Sequence, residues 1–241
     1  MSAAGGATRS PVLVAVAHGS RDGAAQDAVS ALAARIRSFA PAIDLRVAFL
    51  QHAEPSLAAA LAEASGDVVI VPLLLSTGHH LTVDIYGAAR HAGARVGAPL
   101  GPDPLLADAL ADRLAEAGAP AGTPAVLAAA GSSDPAAAAD VTHQAALLAD
   151  RLGTPVLAAF ASAGQPTVTK AVAALHVGAG GPVSVATYLL APGQFHDQLC
   201  DTAATWVSAP LGDHPAVARV VLDRFRAARR GDAVLKGRPL A

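Results

Sequence analysis

The stretch Pro11-Val-Leu-Val-Ala-Val-Ala-His18-Gly-Ser-Arg-Asp22 lies over Thr123-Pro-Ala-Val-Leu-Ala-Ala-Ala130-Gly-Ser-Ser-Asp134 when the chain is aligned with itself at an offset of about 111 residues. Further blocks follow in the same order. Ala48-Phe49-Leu-Gln-His-Ala-Glu-Pro55-Ser-Leu57 lies over Ala159-Phe160-Ala-Ser-Ala-Gly-Gln-Pro166-Thr-Val168, and Leu73-Leu-Leu-Ser-Thr-Gly78 over Tyr188-Leu-Leu-Ala-Pro-Gly193. Ala98-Pro-Leu-Gly101 matches Ala209-Pro-Leu-Gly212. The chain is an internal duplication.

Each copy alternates short apolar runs of strand length with alanine-rich stretches of helical period, the pattern of a parallel sheet covered by helices. In copy one the strands fall at about 11–17, 43–50, 67–75 and 94–97. Val29, Leu32, Ala33 and Ile36 stand at i, i+3, i+4 and i+7 and mark a helix face between the first two. In copy two Asp134-Pro135 reads as an N-cap with proline at the first helical position, Val141, Leu148 and Leu152 as its apolar face, and Gly153 as its stop. The fold class expected is α/β: two tandem homologous lobes, each a small parallel sheet flanked by helices, with a cleft between them. The expected divisions are a disordered leader over 1–10, an N-terminal lobe carrying the site over 11–116, a linker over 117–123, a second lobe over 124–228 and a flexible tail over 229–241.

Composition narrows the class. Of 241 residues, 53% are hydrophobic and 15% charged, which excludes disorder as the main state. The 17 basic residues form no cluster of the kind that neutralises a phosphate backbone, so no nucleic-acid partner is expected. The longest apolar runs are far short of the ~20 residues that cross a bilayer, so no membrane partner is expected either. One cysteine, Cys200, excludes an intrachain disulfide and any cysteine-rich metal site, which fits a reducing cytoplasm.

In open parallel sheets, ligands bind beyond the carboxyl ends of the strands. His18 directly follows the first strand and His79-His80 lie past the third, so imidazoles from two strand ends can converge at one cleft mouth. Neutral imidazole suits iron, cobalt, nickel and zinc, and two histidines with open positions would hold an ion weakly and release it. The plain alternative is that each histidine only caps a strand end. At the copy-two positions matching His18 and His80 stand Ala130 and Phe195, so two equivalent sites are excluded and any site belongs to copy one. Asp84 can orient an imidazole or serve as an ordinary first-turn acid, and Glu54 can act as base or third ligand or merely lead into a helix. Gln51 and His52 border the same strand end, one of them facing away if the strand alternation persists. Gly19-Ser20 and Gly131-Ser132 could form anion-holding turns. No Gly-x-Gly-x-x-Gly, Walker lysine or Gly-x-Ser-x-Gly occurs, so neither nucleotide binding nor serine hydrolysis has support.

At His18-Gly-Ser-Arg21, Phe49-Leu-Gln-His-Ala-Glu-Pro55-Ser, Pro72-Leu-Leu-Leu-Ser-Thr-Gly-His-His-Leu-Thr-Val-Asp84-Ile and Gly131-Ser-Ser-Asp-Pro135 the chain resembles the class II chelatases of tetrapyrrole biosynthesis, specifically the long sirohydrochlorin chelatases with two fused halves. The resemblance covers about residues 11 to 226. It implies ATP-independent insertion of a divalent metal into sirohydrochlorin, with Fe(II) for siroheme or Co(II) for cobalamin, no organic cofactor, and the metal as substrate. It implies metal-handling histidines in the N-terminal half, matching His18 and His80, of which the spacing His-x-x-x-Asp-Ile selects the latter over His79. Relatives commonly carry glutamate where this chain has Gln51, which shifts the carboxylate role to Glu54 or leaves the histidines alone. Ser20, Arg21, Gln51, Gly78 and His79 become the expected substrate contacts. Arg90 and Arg95 are further cleft-fringe candidates for a substrate rich in carboxylates, with solvated helix charges as the plainer reading. Fused halves that replace a homodimer imply a monomer, with a dimer as the alternative. Two other readings stand beside this one: a cobalt or nickel carrier, and a silent scaffold.

Overall fold

The computed structural model describes residues 11–78 and 84–231. Copy one runs β1 (Val12–Ala17), α1 (Gly23–Phe39), β2 (Asp44–Phe49), α2 (Leu57–Glu63), β3 (Val68–Pro72), α3 (Tyr86–Ala92), β4 (Arg95–Val96) and α4 (Pro104–Glu116). Copy two repeats the order as β5 (Ala125–Ala129), α5 (Pro135–Leu152), β6 (Val156–Phe160), α6 (Val168–Ala179), β7 (Ser184–Tyr188), α7 (Gln194–Cys200), β8 (Trp206–Val207) and α8 (Pro215–Arg230). The strands form two parallel four-stranded sheets of order β2-β1-β3-β4 and β6-β5-β7-β8. The α/β class with tandem parallel sheets is therefore as the patterning predicts.

β1 is buried along its whole length, which is why it reads as continuous Val-Leu-Val-Ala-Val-Ala rather than as an alternation. Its two faces still separate with period two. Leu13, Ala15 and Ala17 enter one core, and Val12, Val14 and Val16 another beneath α2 and α3. β5 divides the same way, with Leu127 and Ala129 in the first of these cores and Val126 and Ala128 in a third. The first core is thus common to both copies.

That shared core is built by exchange of the last helix of each copy. α4 packs on α5 and β7 of copy two, while α8 packs on α1, β3 and β4 of copy one. Leu106, Leu110 and Leu114 of α4 and Val217, Val221 and Phe225 of α8 are all buried there. Polar contacts lock the exchange: Arg224 on α8 donates to the carbonyls of Pro99 (2.8 Å) and Leu100 (2.7 Å) and to Asp103 Oδ2 (2.9 Å). Arg35 on α1 reaches Asp213 Oδ2 at 2.9 Å, just before α8. The repeats in sequence are therefore not the spatial bodies.

Local signals explain most boundaries. Asp22 and Asp134 cap α1 and α5 through the N–H groups of Ala24 and Ala136, both at 2.9 Å, and Gly153 closes α5 in the left-handed region (φ 63°). β3 stops at Pro72, short of the expected residue 75, because the chain there leaves the ladder for the cleft wall. The expected flexible tail does not begin at Arg229: α8 continues to Arg230, and Arg229 Nε donates to Asp67 Oδ2 at 2.9 Å. The leader 1–10, the segment 79–83 with His79 and His80, and residues 232–241 lie outside the described residues. Among the described residues no helix is long and apolar enough to cross a membrane.

Candidate functional site

The carboxyl ends of β1, β3, β5 and β7 meet at a cleft between the sheets, made of two adjoining cavities of about 340 and about 580 Å³. Both are lined by His18, Leu73, Leu189, Leu190 and Phe195. The smaller one lies between the β1–α1 turn and the β7–α7 loop; the larger lies between segment 73–78 and the β5–α5 turn. The walls of leucine and phenylalanine, with the His18 residue at the strand end, make a cleft that is mostly apolar with a few polar groups, the usual make-up of a small-molecule site.

The β1–α1 turn holds His18 by close backbone packing. Gly19 adopts φ 94° and sits so near the Gln51 carbonyl that a Cβ there would collide with it; Gly131 repeats this in copy two (φ 101°) against Ala163. The Gln51 N–H donates to the His18 carbonyl at 3.0 Å, as Ser162 N–H does to Ala130 at 2.9 Å. Ser20 Oγ accepts the Asp22 N–H at 3.0 Å, and Ser132 Oγ that of Asp134 at 3.1 Å. In both copies Gly-Ser therefore builds the strand-to-helix turn, with each serine oxygen accepting the N–H of the aspartate that caps the following helix.

Of the expected contacts, His18, Ser20 and Gly78 line the cleft. Arg21 and Gln51 have exposed side chains, and neither is among the lining residues. Glu54 is also exposed, with its Oε2 accepting the Ser56 N–H at 2.7 Å in the loop before α2. β2 ends at Phe49, so strand alternation does not govern Gln51 and His52, and His52 takes φ 60°. Arg95 is at the opposite end of the sheet, paired with Asp67 before β3 and donating to the Arg229 carbonyl at 2.8 Å, which removes it from the cleft fringe. Arg90 is an exposed residue of α3 and is not among the cleft-lining residues. A helical turn at Asp84–Ile85 precedes α3. Among the described residues no three His, Cys, Asp or Glu side chains are grouped to hold an ion.

Copy two contributes polar groups that sequence reading passed over. His196 lines the smaller cavity with His18, its Nε2 at 3.3 Å from the Ser208 carbonyl; donation there leaves Nδ1 as the lone-pair nitrogen of the neutral ring. Cys200 lies one turn on, its Sγ at 3.9 Å from the same Nε2, but burial and then Asp197 and Asp201 push its thiol pKa up, which disfavours a thiolate ligand. Tyr188 at the end of β7 is buried and donates to the Leu75 carbonyl at 2.7 Å. Asp140 on α5 accepts both the N–H and the hydroxyl of Thr77. Their signal in sequence was only that each departs from its copy-one counterpart.

The CbiX family model matches residues 12–117 and again residues 124–228. SirB from Bacillus subtilis with Fe3+ superposes with a TM-score of 0.77 at 25% identity, over 94% of this chain and 100% of that one. The sirohydrochlorin chelatase SirB from B. subtilis subspecies spizizenii in complex with cobalt gives 0.72 at 25% identity, over 92% and 96%. CbiX, described as the terminal enzyme for biosynthesis of siroheme in denitrifying bacteria, gives 0.68 at 25% identity, over 90% and 99%. No curated protein sequence matches significantly. With the same family matched in each half and the two-sheet architecture shared end to end, this chain belongs to the CbiX family.

Proposed function

We propose that the protein inserts a divalent metal, Fe(II) in the first place, into sirohydrochlorin without ATP. The observation that carries this reading is the placement of His18 at the end of β1 in an apolar cleft between two lobes, in a chain whose similar structures include SirB holding iron or cobalt. Metal insertion must strip waters from the ion, bend the macrocycle so that ring nitrogens face it, and remove two N–H protons. Leu73, Leu189, Leu190 and Phe195 would cover the macrocycle's faces and exclude water, while its carboxylates remain toward solvent. His18, with His80, would hold the ion in exchangeable positions, and a neutral imidazole is a competent proton acceptor near neutral pH. Glu54 is given no part in proton removal, because its carboxylate turns back onto the Ser56 N–H.

The test is an anaerobic absorbance time course of sirohydrochlorin with Fe(II), and separately with Co(II), at equal metal with and without protein. Acceleration supports the chelatase reading, and the ratio of rates selects iron or cobalt. His18→Ala and His80→Ala are each expected to lower the rate at least ~100-fold with far-UV circular dichroism unchanged. Retained turnover in both variants rejects the histidine assignment. Tight metal binding with no acceleration in the folded wild type favours a carrier instead.

A further inference from the structure

Because the halves repeat, each contact across the cleft has a counterpart position that acts as a control. Segment 73–78 of copy one lines the larger cavity together with His18. Thr77 in it donates twice to a single carboxylate oxygen, Oδ2 of Asp140 on α5: through its N–H at 2.8 Å and through its hydroxyl at 2.7 Å. Bonds to a carboxylate of this length are charge-assisted and directional. One turn further along α5 the fully buried Gln144 takes the Asp103 N–H at 2.8 Å and returns a bond to its carbonyl at 3.2 Å, so one face of this helix secures copy one at two points. The positions that match Thr77, Asp140 and Gln144 in the opposite half are Pro192, Ala28 and Leu32. Proline offers no donor, and neither alanine nor leucine offers an acceptor. The hold therefore runs in one direction, from copy two onto the copy-one wall that leads in sequence into His79-His80.

We propose that Asp140 is a positioning residue for metal insertion: by gripping Thr77 it fixes the wall 75–78 of the cavity that contains His18. The proposal rests on the chelatase reading above, and its test separates the two. Full-length D140A, D140N, T77V and the D140A/T77V double variant are compared with wild type for insertion kinetics, and for amide hydrogen exchange of segment 73–78, which needs neither metal nor tetrapyrrole. D140A is expected to lower kcat on the order of ten-fold, with KM for sirohydrochlorin changed less than about two-fold. D140N, whose amide oxygen can still accept from Thr77, is expected to keep most of the activity. T77V should lower kcat in the same sense and add little to D140A. Exchange in 73–78 should quicken in D140A and stay near wild type in D140N. A D140A protein with wild-type kcat, or with unchanged exchange, overturns the inference while leaving an active wild type a chelatase. A wild type that inserts no metal overturns the chelatase reading and with it this role. Equal loss in D140N and D140A with both proteins folded overturns the positioning role.

Discussion

Tyr188 shows how much a single side chain can decide in this molecule. Burial first, then the charges of Asp140 and Asp103, holds its phenol well above the usual value of 10, so it stays a hydrogen-bond donor to the Leu75 carbonyl. Tyr188→Phe is expected to cost about 1–3 kcal/mol, because that carbonyl loses its donor, read as a lower urea midpoint. The sign of the pH effect follows: the unfolded phenol ionises near pH 10 and the folded one resists, so stability falls as pH rises above about 10. Denaturation midpoints between pH 8 and 11 should decline less steeply in the phenylalanine variant. His18 was legible from sequence because it follows an apolar strand directly, and because a counterpart without imidazole stood beside it. Tyr188 and Asp140 were not, since the groups they serve, Leu75 and Thr77, are more than sixty residues away in sequence.

Secondary elements came through the sequence where a local cause sets them. The Asp22 and Asp134 caps, the proline opening α5 and the glycine closing it need only neighbours within one turn. Turns at strand ends were harder: that Gly19 marks a close backbone crossing depends on where the Gln51 carbonyl arrives, which no local pattern shows. Gly19→Ala is accordingly expected to cost at least ~2 kcal/mol, through strain at φ 94° and the collision together, measured as the shift in thermal or urea unfolding. Gly23→Ala, at a helix position with open space around its Cα, should be neutral or mildly stabilising in the same assay. Helix α8 marks the limit of pattern reading. Its apolar face announces burial, yet periodicity cannot say that the surface it meets belongs to copy one.

The whole molecule behaves as one unit because its central core draws on α1, α4, α5 and α8 together. Calorimetric and van't Hoff enthalpies of unfolding are therefore expected to agree, with a single transition for both halves; two resolved transitions would contradict the shared core. The tandem plan was visible in the repeated blocks, whereas the reciprocal placement of α4 and α8 was not, since a duplication read along the chain looks the same whether each half keeps its final helix or trades it. The trade sets an order of events during synthesis. Copy one is made first, but the surface of α1, β3 and β4 waits for α8, the last described helix of the chain. A ribosome that has released residues 11–116 has produced a half whose α4 has nothing to rest on and whose inner face is still wet. The shared core can be completed only once α8 has been made, so a truncated product lacking α8 is expected to leave the inner face of α1, β3 and β4 exposed to water.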